Sequence, residues 1–305
     1  MKTATLIILA VYIIVMVGIG FYTSRLTKSA DDFMLGGRSV GGWLTAFSYG
    51  TTYFSAVVFI GYAGQFGWMY GISTTWVGIG NAILGSLIPF FLIGKRTRLM
   101  SNHLQAKTMP EFFEHRFDSK SLKTASAVIV FVFLIPYTAS VYNGLSRLFG
   151  MVFDFGENGS TIIIIAMAVL SAIYVILGGY KATALNDFFQ GIIMLIGIAT
   201  VVALTVKTKG GLSSAVEQLK EISDAEKLAS LIGPDPLNLL GVVILTSLGT
   251  WGLPQMVHKF YAIKDEKAVK TGTIISTFFA IIISGGCYFL GGFGRLFDCP
   301  AIYNP

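Results

Sequence analysis

Long apolar runs separated by short polar stretches dominate the chain. No charged residue occurs between Arg38 and Lys95, a run of 56 positions. A membrane-crossing helix needs about 20 apolar residues. This run therefore predicts two spans, near 41–66 and 72–94, joined by a turn at 67–71. The same pattern predicts six more, at 4–22, 125–146, 160–180, 185–206, 237–257 and 271–294. The first runs into Arg25 without a small-residue cleavage site, which reads as a retained helix and not a signal peptide.

Two loops carry helix-start signatures. Thr108-Met-Pro-Glu111 predicts a short helix, with Thr108 accepting a first-turn N–H, Glu111 returning a bond and Pro110 tolerated at the start. Ser214-Ala-Val-Glu217 predicts a second one, with Leu212, Val216 and Leu219 as its apolar edge.

Three features inside the spans depart from plain hydrophobicity. Ser48-Tyr-Gly-Thr-Thr-Tyr-Phe-Ser55 concentrates hydroxyls, aromatics and a glycine. Such a stretch either packs helices through small polar residues or opens the backbone, so that freed carbonyls and hydroxyls suit a hard cation. Leu248-Gly-Thr-Trp-Gly-Leu-Pro254 sets Gly249, Gly252 and Pro254 in one apolar run. That is either an ordinary proline kink or a second broken helix of a transporter. Asp187 stands at the expected start of the sixth span, after a loop at Lys181. It is either an ion-pathway carboxylate or an acid stabilised by the helix dipole beside a cap at Asn186.

Composition narrows the class. The 305 residues are 54% hydrophobic and 12% charged, about half the charge of a soluble domain. The 35 glycines favour closely packed membrane helices. The chain reads as an all-α polytopic membrane protein. Of its 22 basic residues, 15 fall in the loops 24–40, 95–123, 181 and 257–270, so these face the cytoplasm by the positive-inside rule. The multi-pass chain then sits in the plasma (inner) membrane with an extracytoplasmic N-terminus. The net charge of +6 follows this loop pattern and does not point to nucleic acid. Cys287 and Cys299 make no bridge framework. Gly94-Lys95 is followed by Arg96, so no phosphate-binding loop is present. His103, His115 and His258 lack metal-ligand spacing and read as solvated loop residues. An enzyme is the weaker class, and no cofactor is expected.

Five stretches, in order, resemble the sodium:solute symporter family. They are Ala30-Asp-Asp-Phe-Met-Leu-Gly-Gly-Arg-Ser39 with Ser48-Tyr-Gly-Thr-Thr-Tyr-Phe-Ser55, Thr108-Met-Pro-Glu-Phe-Phe-Glu-His-Arg-Phe117, Tyr174-Val-Ile-Leu-Gly-Gly-Tyr-Lys-Ala-Thr-Ala-Leu-Asn-Asp-Phe-Phe-Gln-Gly191, Gly252-Leu-Pro-Gln255, and Lys264-Asp-Glu-Lys-Ala268. The resemblance implies an inverted five-helix repeat transporter fold. Residues 1–40 would be an extra N-terminal helix and loop, and 41–206 a complete first repeat. Residues 207–236 would be an outer loop with a short helix, and 237–305 the first two helices of a truncated second repeat. The family pattern continues for three more helices, so the chain resembles an N-terminal portion.

The same resemblance implies a sodium-coupled secondary symporter importing a small organic solute that is pantothenate-, amino-acid- or carboxylate-like. Sodium would be held by backbone carbonyls of Thr51 and Phe54, with Ser55 beside them and Asp187 on the sodium pathway. Arg38 matches a cytoplasmic motif arginine. Solute would meet Tyr53, Asn81, Tyr137, Thr250 and Trp251. Tyr53 replaces an acid found in the proline branch, which leans away from proline. The alternative reading is a non-transporting membrane solute sensor or regulatory subunit. Oligomeric state is not legible.

Overall fold

A computed structural model describes residues 2–25, 27–55, 57–153, 159–222 and 226–297. Cys299 and the last residues of the expected second repeat lie outside them. The described chain is almost wholly helical, with one isolated bridge between Val40 and Ile263. Its helices are α1 (Lys2–Ser24), α2 (Ala30–Leu35), α3 (Gly42–Tyr53), α4 (Ala63–Tyr70), α5 (Thr75–Ala82), α6 (Lys95–His103), α7 (Met109–Phe117), α8 (Lys120–Val152), α9 (Gly159–Thr208), α10 (Leu212–Glu221), α11 (Pro236–Leu248), α12 (Pro254–Ala262), α13 (Glu266–Ala280) and α14 (Gly286–Gly292). Wider π-type turns cover Val57–Tyr62, Ile83–Leu87, Phe90–Gly94 and Ile281–Gly285.

Over their described residues the eight predicted spans fall on helical segments, apart from the interruptions at 54–55 and 249–253. Five stretches among the described residues are long and apolar enough to cross a membrane: Ile7–Ser24, Ala63–His103, Lys120–Gly150, Gly159–Thr208 and Glu266–Gly292. Their outer faces carry exposed Phe131, Phe133, Ile176 and Ile193, as helices solvated by lipid tails do.

α9 has 50 residues and would be about 75 Å long if straight, against a hydrocarbon core of about 30 Å. It is divided at Gly179, whose φ of 58° and ψ of −149° are non-helical. A Cβ there would stand 2.7 Å from the Phe33 carbonyl oxygen, so the bend requires glycine. The loop expected at Lys181 is therefore a one-residue kink two positions earlier.

The loop helices came out differently. Thr108 caps α7 by accepting from Glu111 N–H at 3.3 Å. The Glu111 carboxylate accepts from Lys107 N–H at 2.8 Å, one residue before the cap. The second expected cap fails. α10 starts at Leu212 behind Gly211, whose φ is 103°, and has no side-chain cap. Ser214 lies inside the helix and accepts from Gln218 Nε2 at 2.9 Å. Leu219 and its neighbour Ala215 form the buried edge with partly buried Val216, while Leu212 is exposed.

The chain divides into two compact units. The first holds 1–56, 90–191 and 252–275. Its interior is aromatic: Tyr49, Phe90 and Phe260 are fully buried, with ring centroids 4.8 and 4.9 Å apart for the Tyr49–Phe90 and Phe90–Phe260 pairs. Arg38 has a left-handed φ of 50°. Its guanidinium donates to the Ala106 carbonyl at 2.8 Å and to Ser101 Oγ at 3.4 Å, which offsets the strained backbone.

The second unit holds 57–89, 192–251 and 276–305. Here α4 and α14 meet through glycine. A Cβ on Gly67 would fall 2.0 Å from the Gly291 backbone. Between lipid-solvated helices the hydrophobic drive is absent and close van der Waals contact replaces it. Both interruptions in the spans, after α3 and after α11, coincide with a passage of the chain between units.

Candidate functional site

The first interruption follows from the sequence that predicted it. α3 ends at Tyr53, and Phe54 N–H donates to the Gly50 carbonyl at 2.8 Å. Phe54 takes φ −95° and ψ 65° and leaves the helix. Its ring stacks on Tyr53 at 4.4 Å, and both side chains are buried. Ser55 is half-buried and non-helical, and regular turns resume at Val57. The hydroxyl of Thr51 donates to the carbonyls of Phe47 at 3.0 Å and Ser48 at 3.3 Å, as a hydroxyl does at a helix end.

The second interruption is sharper. α11 stops at Leu248 and α12 starts at Pro254, whose missing N–H costs nothing at a first helical position. Between them Thr250 Oγ donates to the Ser247 carbonyl at 2.8 Å. Trp251 Nε1 donates to the Leu84 carbonyl at 2.7 Å. Gly249, Gly252 and Pro254 thus mark a true break and not a simple kink. Tyr137, on α8, shares an apolar cavity of ≈ 810 Å³ with Gly252, Leu253 and Pro254.

Two buried polar clusters sit on the helices beside these breaks. In the second unit, Asn81 on α5 is 1% exposed. Its oxygen accepts from Thr246 and Ser247 of α11 at 3.0 Å each, and its nitrogen donates to Ser284 Oγ at 3.2 Å. The amide expected to meet solute is occupied by three hydroxyls. It braces the end of α11 just before the break.

In the first unit, Asp187 is not at a helix start. It lies in the interior of α9, about two turns beyond the kink at Gly179, so the dipole-cap reading is overturned. Asn186 caps nothing: its side chain is buried and its amide atoms make no hydrogen bond. Asp187 Oδ2 accepts from Ser48 Oγ of α3 at 2.5 Å, and Thr51 adds a further side-chain contact. The Lys259 ammonium of α12 lies 3.6 Å from the same oxygen and donates to Ser48 Oγ at 2.6 Å. The Lys259 and Asp187 side chains are 9% and 20% exposed.

By sequence Lys259 counts among the cytoplasmic loop cations of 257–270, whereas the structure buries it on α12. No local signal marks it, because its partners Asp187 and Ser48 lie far away along the chain. His258 was also misplaced. It is half-buried, with its ring 5.3 Å from Tyr180 and 6.2 Å from Tyr261. His103 and His115 are exposed as expected. Among the described residues no three His, Cys, Asp or Glu side chains gather as a metal cluster. The oxygens that could hold a monovalent hard cation are those of Asp187, Ser48 and Thr51, with backbone carbonyls at the end of α3.

Comparison with known proteins places the chain in a family and a fold. The profile described as "SSF: Sodium:solute symporter family" matches residues 33–300. Sodium/proline symporters of Staphylococcus aureus strains JH9 and USA300 are each 33% identical over 273 residues, covering 86% of this chain and 51% of theirs. The chain thus spans about half the length of the curated relatives it matches. A Na⁺-coupled sialic acid symporter, solved substrate-bound and outward-open, superposes with a TM-score of 0.76 at 22% identity. The match covers 96% of this chain and 62% of that one, which identifies the fold.

Proposed function

The chain belongs to the sodium:solute symporter family, a family of transporters and not enzymes, and from that premise we propose that it serves Na⁺-coupled symport of a small organic solute. The observation that carries the reading is the pair of interrupted membrane helices, one after Tyr53 and one between Leu248 and Pro254. Broken helices supply the unpaired carbonyls and N–H groups from which transporters build mid-membrane sites.

Sodium is assigned to the end of α3, through the carbonyls of Thr51 and Phe54 with Ser55, and to Asp187. It is the coupling ion, and no cofactor is required. Solute is assigned to Tyr53, Tyr137, Thr250 and Trp251. Asn81 supports this site by holding Thr246 and Ser247, its own amide being engaged.

The solute is proposed to carry a carboxylate. α12 begins inside the second break, and the positive end of a half-helix favours an anionic group. Pantothenate, amino acids and other small carboxylates share that feature. The relatives named for proline fit the class, while neutral Tyr53 departs from the acid of the proline branch. The inverted-repeat boundaries at 41 and 237, the plasma-membrane location and the extracytoplasmic N-terminus complete the proposal.

The test is uptake of labelled proline, pantothenate and small carboxylates into proteoliposomes, with an inward Na⁺ gradient or with choline replacing Na⁺. Uptake of one of them driven by Na⁺ supports the reading. Solute uptake indifferent to Na⁺ sinks the coupling.

A further inference from the structure

The carboxylate assigned to sodium already has a monovalent counter-ion, and the chain itself supplies it. Lys259 Nζ stands 3.6 Å from Asp187 Oδ2. Ser48 Oγ bridges the two, accepting from Lys259 at 2.6 Å and donating to Asp187 at 2.5 Å. The ammonium also lies 5.3 Å from the centre of the Tyr180 ring, a face that attracts cations. The three residues come from α9, α3 and α12 of one compact unit.

The choice of lysine has a physical consequence. An arginine fork would grip the carboxylate through a fixed planar geometry. A lysine is a single compact charge on a flexible four-carbon stem. It carries the same charge as Na⁺ and can withdraw by rotamer changes alone. Two monovalent cations on one carboxylate oxygen in a weakly solvated site repel each other strongly. The remaining oxygens of the cluster, on Ser48 and Thr51, can serve either a hard cation or an ammonium donor.

We propose that Lys259 is a tethered competitor of Na⁺ at Asp187: the ammonium and the ion hold the carboxylate alternately, and Na⁺ entry releases Lys259. The inference rests on the Na⁺-coupled reading of the same site. Its consequence is mechanical. α12 starts at the second break, and α3 ends at the first. With Lys259 on Asp187, α12 is tied to α9 and α3. With Na⁺ on Asp187, that tie is gone. An ion that binds one arrangement better shifts the balance between them by its differential affinity.

The experiment is equilibrium ²²Na⁺ binding to the purified chain in nanodiscs, with wild type, K259Q, K259R, D187N and D187N/K259Q. K259Q removes the competitor and should tighten Na⁺ binding about tenfold or more. K259R keeps a cation in place and should remain as weak as wild type. D187N and the double variant should lose the site. Equal or weaker Na⁺ binding by folded K259Q overturns the proposal.

K259Q leaves a partly buried carboxylate unpaired, and if it does not fold the wild type decides. Reductive dimethylation of Lys259, read by mass spectrometry, should run faster in NaCl than in choline chloride, and this difference should vanish in D187N. Identical labelling in both salts overturns the proposal. Neither measurement needs transport. Sodium-driven uptake with wild type and K259Q binding Na⁺ alike would sink the competition alone, whereas sodium-indifferent uptake would sink the symport reading.

Discussion

Asn81 in the second unit and Asp187 in the first are both polar side chains shielded on membrane helices, yet their partners differ in kind. Asn81 is neutral and is met by three hydroxyls, from α11 and from the wide turn before α14. Removing the polarity on one side would leave groups that find other acceptors, as Thr246 already does on the Val242 carbonyl at 2.9 Å. Asp187 is charged, and its balance depends on one opposite charge and one bridging hydroxyl. A neutral network of this kind holds one arrangement. An ion pair can exchange its cation without unfolding the helices that carry it. The contrast separates a brace from an element able to switch.

The largest effect should come from breaking the charged cluster on one side. D187A leaves Lys259 shielded and unpaired, and should cost about 3–5 kcal/mol of stability. Replacing both charges with apolar residues, as in D187L/K259M, should return thermal unfolding in detergent close to wild type. A double variant as unstable as D187A would show that the unpaired charge is not the cause.

N81A tests the neutral cluster. It should cost less, about 1–3 kcal/mol, because neutral hydroxyls lose a partner and no charge is left unpaired. Unfolding measured beside D187A decides the order, and a larger loss for N81A would reverse the comparison. W251F removes one hydrogen bond at the second break, to the Leu84 carbonyl. It should lower stability by about 1 kcal/mol. If the Trp251 ring also meets solute, the uptake KM should rise more than the stability falls.

The smallest effect belongs to a surface pair outside both clusters. Glu114 accepts from Lys123 at 2.6 Å, and that bond holds its carboxyl below the ordinary carboxylate range. The unfolded chain therefore takes up this proton at a higher pH than the folded one. The pair's contribution is complete above the ordinary carboxylate pKa and is lost as pH falls through the folded value. E114Q should leave unfolding at neutral pH unchanged within error, and should flatten the acid limb slightly. A clear loss at neutral pH would show that this loop matters more than its exposure implies.

Much of the architecture was legible because membrane helices announce themselves locally. Twenty apolar residues without charge have few alternatives in a bilayer, so the expected spans lie on helix outside the two interruptions. The two interruptions were legible for a related reason. Hydroxyls with glycine at 48–55, and Gly249, Gly252 and Pro254 in one run, loosen a helix through the backbone of the residues themselves. The Thr108 cap was legible too, since its partner lies three residues away.

What failed depended on distance or on a single dihedral. Ser214 carries the same local signature as Thr108, but Gly211 with its positive φ starts the helix earlier. The position of the bend in α9 was displaced from 181 to 179, and that shift turned Asp187 from a terminal residue into an interior one. Lys259 read as a loop cation because nothing within its own neighbourhood shows that Asp187, 72 positions earlier, comes to meet it.

The sequence by itself determined the helical class, the apolar helical segments, the two interruptions and the family, since each rests on composition, short-range spacing or local motifs. Only the tertiary structure decided which polar residues share a cluster: Asn81 with Thr246, Ser247 and Ser284, and Asp187 with Ser48 and Lys259. The physical reason is that a buried charge or amide is satisfied through space. Its partner is chosen by how helices pack, and packing brings together residues whose separation along the chain carries no signal.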